Sequence, residues 1–537
     1  GEIEDIFGET EGMEFRNNLQ SLWNVMQEMA NNPEDITKRR LFVSTAESFL
    51  ETAQNIYTQL NTYQVSLNKE ISDQVDRINT IGETIAYYNK EIAKIEAGGV
   101  ENANDYRDAR NLLLDELATY TNFNYQEDEK GSIQVYIENA LFVDAGVSYH
   151  LGCEKIPENG FYTVRWMDNG YGDAFDTSEA YSTERKTDVG SLRGILTARG
   201  LKIANYSDIP DQPQKEDFID NKGVFDETAY KVAQNKYEAA VSAYNNTTGN
   251  SIITQIQAQF DRLIHNVVTK INDAFAPNIE IKGNQVNLGT VTTGTTADGE
   301  AFDMTKLTGG KYKVLDVINC PVGADDHETI GTEVFSRGQI DRYQKITLNG
   351  QIYGKDADGN DIPLAQKTVD ADGNETYTLY LYNEENESDI DWMYTLNSMV
   401  INKELTADYS LLEVKANPEL GLDGAYAFGQ NLFQDLLHSW DEDLGVLDPN
   451  SQASYNFDDY YTNMIGGLGI RGNDWNNMVD YQTSLAESIE DKRQQVAGVS
   501  SDEELVNMMK YQHAYNAASR YINTIDSMLE TLIERLG

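Results

Sequence analysis

Between residues 43 and 95 the chain places Val43, Ala46, Leu50, Ala53, Tyr57, Leu60, Gln64, Leu67, Ile71, Gln74, Ile78, Ile81, Ile85, Tyr88, Ile92 and Ile95 at alternating spacings of three and four. This is a helical stripe, uninterrupted except by Gly82, and it predicts one helix about 80 Å long at about 1.5 Å per residue. Gln64 and Gln74 fall on the stripe, where polar residues serve to fix register. A shorter helical pattern through Leu19, Leu22, Val25 and Met26 precedes it and stops at Asn31-Asn32-Pro33. Gly98-Gly99 ends the long helix, and residues 104–117 read as its antiparallel partner. On that partner Asp105, Arg107, Asp108 and Arg110 read as a solvated, salt-bridged face. The alternation Ile133, Val135, Ile137 and the run Leu141-Phe142-Val143 then predict a β-hairpin at about 124–145.

From His150 to about Tyr181 the pattern is β and aromatic, and Pro210 and Pro213 mark a surface excursion. Ile253, Ile256, Phe260, Leu263, Val267, Ile271 and Phe275 share one face of a helix over 252–275, with His265 expected on its surface. Residues 276–400 change to Gly, Thr, Asp and alternating apolar residues, as in Thr376–Tyr382, which predicts an inserted β domain. Its pattern is separate from that of the helices, so its removal is expected to leave the helical part folded. Asp356–Asp361 and Asp370–Glu375 repeat a carboxylate-rich motif that could bind Ca²⁺. Its Gly stands at the fourth place rather than the sixth of an EF-hand loop, and Asp-Gly turns of hairpins are the simpler reading. Helix returns at 425–437 and again near 476–496.

The last element is the most regular. Ser501-Asp502-Glu503-Glu504 has the form of a capping box. Behind it Met508, Tyr511, Tyr515, Ala518, Ile522, Ile525, Leu529 and Leu532 continue the three-and-four spacing with no Pro or Gly before Gly537. A seam of this kind needs a partner surface. It is either a terminal helix docked on its own domain or an assembly helix that packs on neighbouring subunits.

Composition narrows the function classes. With 537 residues the chain should hold several domains. Its 41 basic against 89 acidic residues give a net charge of −48, which argues against nucleic acid and anionic membranes as partners. No apolar run is long enough to span a membrane, and no signal-peptide pattern stands at the start. Cys153 and Cys320 form one disulfide if the fold brings them together, and otherwise are two buried thiols. The five histidines (His150, His265, His327, His438 and His513) are scattered without metal-ligand spacing. Gly467-Leu468-Gly469-Ile470-Arg471-Gly472 matches a Gly-x-Gly-x-x-Gly pattern, but no strand leads into it, and it reads as a flexible loop. No catalytic residues, cofactor or metal site are therefore expected.

The terminal stretch also carries a resemblance. Arg493-Gln494-Gln495-Val496-Ala497-Gly498-Val499, Asp502-Glu503-Glu504, Tyr511–Ala517, Ile522-Asn523-Thr524 and Met528-Leu529 resemble the C-terminus of axial flagellar proteins, and in particular of the hook-associated protein 1 (FlgK) family. The Asn-Pro break, the long heptad helix, the helix from Asn104 and the hairpin resemble that family's helical core in the same order. The segment Gly190–Arg199 and the helix 250–275 fit it too. The resemblance implies an α+β multidomain protein, an elongated helical-bundle or coiled-coil rod built from both chain ends with inserted β-rich outer domains. Its parts would be a helical core over 1–145, a β-rich segment over 146–200, a variable excursion over 201–249, a core helix over 250–275, the β insert over 276–400, returning helices over 401–497 and an assembly helix over 498–537.

By the same resemblance the chain would be a non-catalytic adaptor between flagellar hook and filament. It would be extracellular, exported without a cleaved signal peptide and covered beforehand by an export chaperone on the terminal seam. Expected partners are further copies in a ring or layer, the hook protein and the next junction protein, with no nucleic acid and no membrane insertion. Axial proteins of this type begin with an N-terminal helix that pairs with the C-terminal one, and roughly the first 80 residues of such a protein are expected to be absent from this sequence. Two other readings stand beside this one. The chain could be another axial component, such as a hook, rod or flagellin-like protein. Or it could be a surface adhesin or glycan-binding module, which would need a concave aromatic surface such as Tyr380, Tyr382 and Trp392 could line.

Overall fold

In the computed structural model of the chain the long stripe lies on a single helix. The structure describes residues 2–7, 14–99, 102–168, 170, 172–177, 188–219, 224–356, 359–370, 372–418, 430–443, 445–451, 453–497 and 501–536. After α1 (Glu2–Ile6) and α2 (Glu14–Asn31), α3 runs unbroken over Ile36–Glu96. Its 61 residues span about 90 Å. Asp35 caps it, accepting a 2.8 Å hydrogen bond from the Thr37 N–H.

The α3 stripe is buried against two different cores. Its first half, Phe42 to Leu60, packs with α2 and with helices described below. The Phe15 ring lies 5.6 Å from that of Phe49. Its second half, Ile71 to Ala86, packs with α4 (Asn104–Tyr120), with the antiparallel meander β1 (Phe123–Glu127), β2 (Ile133–Ile137), β3 (Ala140–Asp144) and β4 (Val147–Ser148), with the hairpin β5 (Leu151–Lys155) and β6 (Tyr162–Trp166), and with α5 (Ser191–Arg199). The predicted hairpin is thus four strands. Gly82 is where the meander comes closest, since a Cβ there would stand 2.4 Å from the Phe142 ring. It marks a packing contact and does not break the helix.

Polar residues on α3 bind the backbone of the elements laid on it. Asn79 exchanges two 2.9 Å hydrogen bonds with Leu151, and Asn89 donates to the Ile133 and Ala145 carbonyls. Gln64 donates to the Arg199 and Lys202 carbonyls, and Gln74 accepts from the Ser191 hydroxyl. Arg110 departs from the expected solvated face. It is 3% exposed and donates to Asn89 Oδ1 and the Gly131 carbonyl, while Arg107 pairs with Glu96 and Glu127 and Arg110 reaches Glu127 at 3.5 Å. The reason is local, because α4 turns that side of its surface against the meander.

Further along, α6 (Glu227–Asn246) lies in the excursion, and α7 (Ile252–Phe275) is buried along nearly its whole length against the first half of α3. His265 is partly buried rather than on the surface as expected, because the chain returns over α7 twice and stacks Tyr206 on the imidazole at 3.7 Å. The β region follows, with β7 (Asn278–Lys282), β8 (Thr293–Thr296), β9 (Ala301–Asp303), β10 (Lys311–Leu315), β11 (Phe335–Arg337), β12 (Tyr343–Leu348), β13 (Tyr353–Lys355), β14 (Asp361–Pro363), β15 (Ala365–Val369), β16 (Glu375–Tyr382) and β17 (Met399–Ile401). Seven strands form one antiparallel sheet in the order β7-β10-β16-β12-β8-β9, with β15 also on β16. They enclose their own core of Ile281, Val314, Ile346, Leu348 and Leu379.

The pair β11–β17 does not belong to that core. Val334, Phe335, Tyr394, Leu396 and Met399 pack with α2, α3 and α7. Removing 276–400 would therefore strip the helical core of five buried side chains, contrary to the expectation that this part would stay folded. Alternation along the sequence marks strands, but it does not say which core a strand lines. Cys153 is half-buried and Cys320 buried, and both are free thiols. Tyr380 is buried, Tyr382 lies beneath Arg337 and Arg342, and Trp392 is half-buried.

After α8 (Lys403–Ala407), α9 (Gln430–Trp440) and the short pair β18 (Gly445–Val446) and β19 (Ser454–Tyr455), the chain ends in α10 (Phe457–Ala497) and α11 (Ser501–Leu536). The helix expected over 425–437 is α9, and residues 425–429 lie outside the described residues. The helix expected near 476–496 begins at Phe457 and carries Gly467–Gly472 within it, so the expected loop is helical. The chain divides into two units, residues 1–468 and 469–537. Phe457, Tyr460, Tyr461, Met464 and Leu468 belong to the first unit and to its main core. No described helix is long and apolar enough to cross a membrane. The chain is α+β, with long helices toward both ends and antiparallel sheets in its middle.

The two cores can be separated by substitution. Phe335→Ala should cost about 3–5 kcal/mol of helical-core stability, read as an earlier loss of the far-UV helical signal on heating. Ile346→Ala should instead loosen the sheet first, read as faster amide exchange in β12 and β16. A second test concerns the β5–β6 hairpin. His150 lies between Asp168 (2.7 Å) and Glu83 of α3 (3.1 Å), and these two acceptors hold its pKa above the ordinary 6.5. The stabilisation is full below that value and is lost as the pH rises through the raised one. An NMR titration of His150 should have its midpoint above 6.5, and His150→Gln should remove that pH dependence from the hairpin's stability.

Candidate functional site

The candidate surface is carried by α11. Its first turn holds Asp502, Glu503 and Glu504, which complement the helix dipole, while its last turn holds Arg535 beside Glu534. Ser501 is itself helical, one residue earlier than a capping Ser501 requires, and the lead-in residues 498–500 lie outside the described residues. Arg493 at the end of α10 pairs with Glu490 at 2.9 Å.

Every expected seam residue is on this helix and every one is exposed. Met508 is 59% exposed, Tyr511 76%, Tyr515 75% and Ile522 65%, and Ile525, Leu529 and Leu532 are likewise open, with the small Ala518 at the middle of the row. No described residue of the second unit covers them. Full burial of the seven large side chains would release on the order of 10 kcal/mol, at about 1.5–3 kcal/mol each, before the cost of association. The arrangement can make a continuous helix–helix contact.

The structure adds apolar residues that the seam does not include. Leu505, Tyr521, Met528 and Ile533 flank it and widen the stripe, while Val506 and Met509 are exposed on other faces of the helix. A second open row on α10 holds Trp475, Met478, Leu485 and Ile489. Their spacing was readable, but Gln482 interrupts the row and hides it from a search for unbroken heptads.

Elsewhere, the carboxylate-rich motifs are turns. Asp356 accepts from the Asn360 N–H at 2.7 Å and from its side-chain amide at 2.9 Å, and Asp370 does the same with Asn374 at 2.8 Å each. Both carboxylates face their own backbone, and Gly359 and Gly373 take the positive φ (85°) that the turns require. Residues 357, 358 and 371 lie outside the described residues. Among the described residues no three His, Cys, Asp or Glu side chains converge as metal ligands.

Comparison with known proteins agrees with the resemblance read from the residues. Residues 493–535 match the family model described as "flagellar basal body rod FlgEFG protein C-terminal", which covers the end of α10 and nearly all of α11. Over its whole length the chain is 21% identical to flagellar hook-associated protein 1 of Bacillus subtilis (strain 168), spanning 79% of that relative. It is 22% identical to flagellar hook-associated protein 1 of Salmonella typhimurium over 96% of this chain and 80% of the relative. The solved flagellar hook junction protein FlgK from Burkholderia pseudomallei is similar at 14% identity and a TM-score of 0.38, over 75% of this chain and 60% of that one. Residues 1–288, more than half of the 537, match the model described as "flagellar hook-associated protein FlgK helical domain", and the chain belongs to the flagellar hook-associated protein FlgK family.

Proposed function

We propose that the chain is a non-catalytic structural adaptor that joins the hook of the bacterial flagellum to its filament, working outside the cell. The observation that carries this reading is the open apolar seam of α11, set in a chain whose first 288 residues match the FlgK helical domain. A net charge of −48 makes copies repel one another at long range, so an assembly must be held by short-range apolar contact. The seam supplies that contact. Its residues Met508, Tyr511, Tyr515, Ala518, Ile522, Ile525, Leu529 and Leu532 would pack against neighbouring copies in a ring or layer, and against the N-terminal helix typical of axial proteins. Hook protein on one side and the next junction protein on the other complete the joint.

An open seam is an aggregation hazard before assembly. We therefore assign it a second occupant in time, an export chaperone that covers α11 until the chain has left the cell through the flagellar type III channel, with no signal peptide removed. The match of residues 493–535 to the rod-protein C-terminus favours one other reading, a different axial component, because α11 taken alone is of a general axial type. The helical-domain match over residues 1–288 weighs against it.

Two experiments test the proposal. Ala518 is the smallest seam residue and so the point of closest helix approach, and Ala518→Leu should block incorporation at the hook tip while the circular-dichroism spectrum stays that of the parent. Normal hook–filament joining in that strain would contradict the assigned role. Removing residues 501–537 should abolish binding of the purified chain to its export chaperone. Unchanged binding would place the chaperone site elsewhere.

A further inference from the structure

Three stretches distant in sequence meet on one face of α7. Asp261, wholly buried, accepts hydrogen bonds from the backbone N–H groups of Tyr206 (2.9 Å) and Leu396 (2.7 Å), one on each carboxyl oxygen. One turn further along, His265 stacks on the Tyr206 ring and directs Nδ1 to the Tyr394 carbonyl at 3.2 Å. Glu385 closes the circuit, accepting from the Tyr394 N–H at 3.0 Å and from the Tyr206 hydroxyl. The Tyr394 hydroxyl in turn donates to buried Glu333. The segment 385–396 is thus a strap whose Tyr394 and Leu396 are buried in the helical core and whose carbonyls accept from Gln54 and Arg337, and its polar ties to α7 and to the turn at 205–208 run through titratable groups.

We propose that Asp261 and His265 form a latch whose protonation state governs release of the 385–396 strap from α7. The charges around the pair support this. Asp208 from the turn and Glu385 from the strap face Asp261, and Tyr57 of α3 lies beside it. Lys202 is taken up by Asp208, and Arg262 by Asp211. Among the described residues no salt bridge reaches Asp261. An ionised Asp261 would therefore be a buried charge without a cation, and opening the strap to water is its direct relief. His265 feels Glu385, Arg262 and Asp211, and a charge on it would likewise be buried.

The two groups titrate in opposite senses. Burial, with help from Asp208 and Glu385, pushes the Asp261 carboxyl up to about 7 against the pull of its two N–H donors. Burial pushes the His265 imidazole below its ordinary 6.5. A raised carboxyl holds the strap best while protonated, and that hold is lost as the pH rises towards about 7. A depressed imidazole holds it while neutral, and that hold is lost as the pH falls below 6.5. In the mildly acidic range the two slopes oppose each other, so the intact latch opens to a nearly constant extent and each single substitution exposes the other partner's slope.

Hydrogen exchange at the Tyr206 and Leu396 amides of the full chain, corrected for the intrinsic rate, tests this. In His265→Gln, opening should grow with rising pH by up to about tenfold per pH unit between about pH 5 and 7. In Asp261→Asn it should instead grow as the pH falls below about 6.5. The unsubstituted chain should vary less than either. Identical pH profiles in all three would overturn the proposal. Should a substitution free the strap at every pH, a carbon-13 titration of the Asp261 carboxyl in the unsubstituted chain decides. A midpoint near 7 supports the latch, and one near the ordinary carboxylate range overturns it.

Discussion

The structure of the first unit depends on the burial of one apolar stripe along α3. Its residues from Phe42 to Leu60 lie in one core and those from Ile71 to Ala86 in another. Two cores of different composition are thereby tied to one rigid element, with no linker between them. A helix this long would not hold a single apolar face in water by propensity alone. It is stabilised by a succession of partners: α2 and α7 at one end, the meander, the β5–β6 hairpin, α4 and α5 at the other. This differs from a coiled coil in a way that matters mechanically, because each part of the stripe is matched to a different neighbour and the register cannot slip.

Polar side chains do the aligning. Asn79 and Asn89 of α3 satisfy strand backbone that would otherwise end unpaired against the helix. Gln64 belongs to a buried network in which Gln257 of α7 donates to Asn61 and Gln64, while Gln64 holds the carbonyls that follow α5. On α7 the Asp261–His265 pair does the same for the turn at 205–208 and the strap at 385–396. These groups contribute little net stability each, but leaving any one unsatisfied costs about 1–3 kcal/mol, which selects one arrangement among the many that apolar burial would accept.

The α11 seam has the same spacing as the α3 stripe and the opposite fate. One is covered by its own chain, the other is open along its length. Membership of the FlgK family gives the open seam a context, and the proposed role has apolar contact between copies counter their shared negative charge.

The pattern of apolar residues by itself determined the long helix, its stop at Asn31-Asn32-Pro33, α7, the strand β16 and the regular terminal helix, since helical and strand periodicities are set locally by backbone geometry. The eight seam residues and the family were legible for the same reason, in a stretch with no Gly or Pro to disturb it. What the pattern could not supply was partnership. Arg110 looked solvated and is buried, His265 looked superficial and is stacked under Tyr206, and Gly467–Gly472 looked like a loop and is helix. Phe335 and Leu396 looked like part of a β insert and line the helical core. Except for the Gly467–Gly472 run, each depends on which distant segment lies against it, a contact between residues tens to hundreds of positions apart. Only the tertiary structure decides such contacts, because burial and hydrogen-bond satisfaction are properties of the packed assembly of elements and not of any one of them.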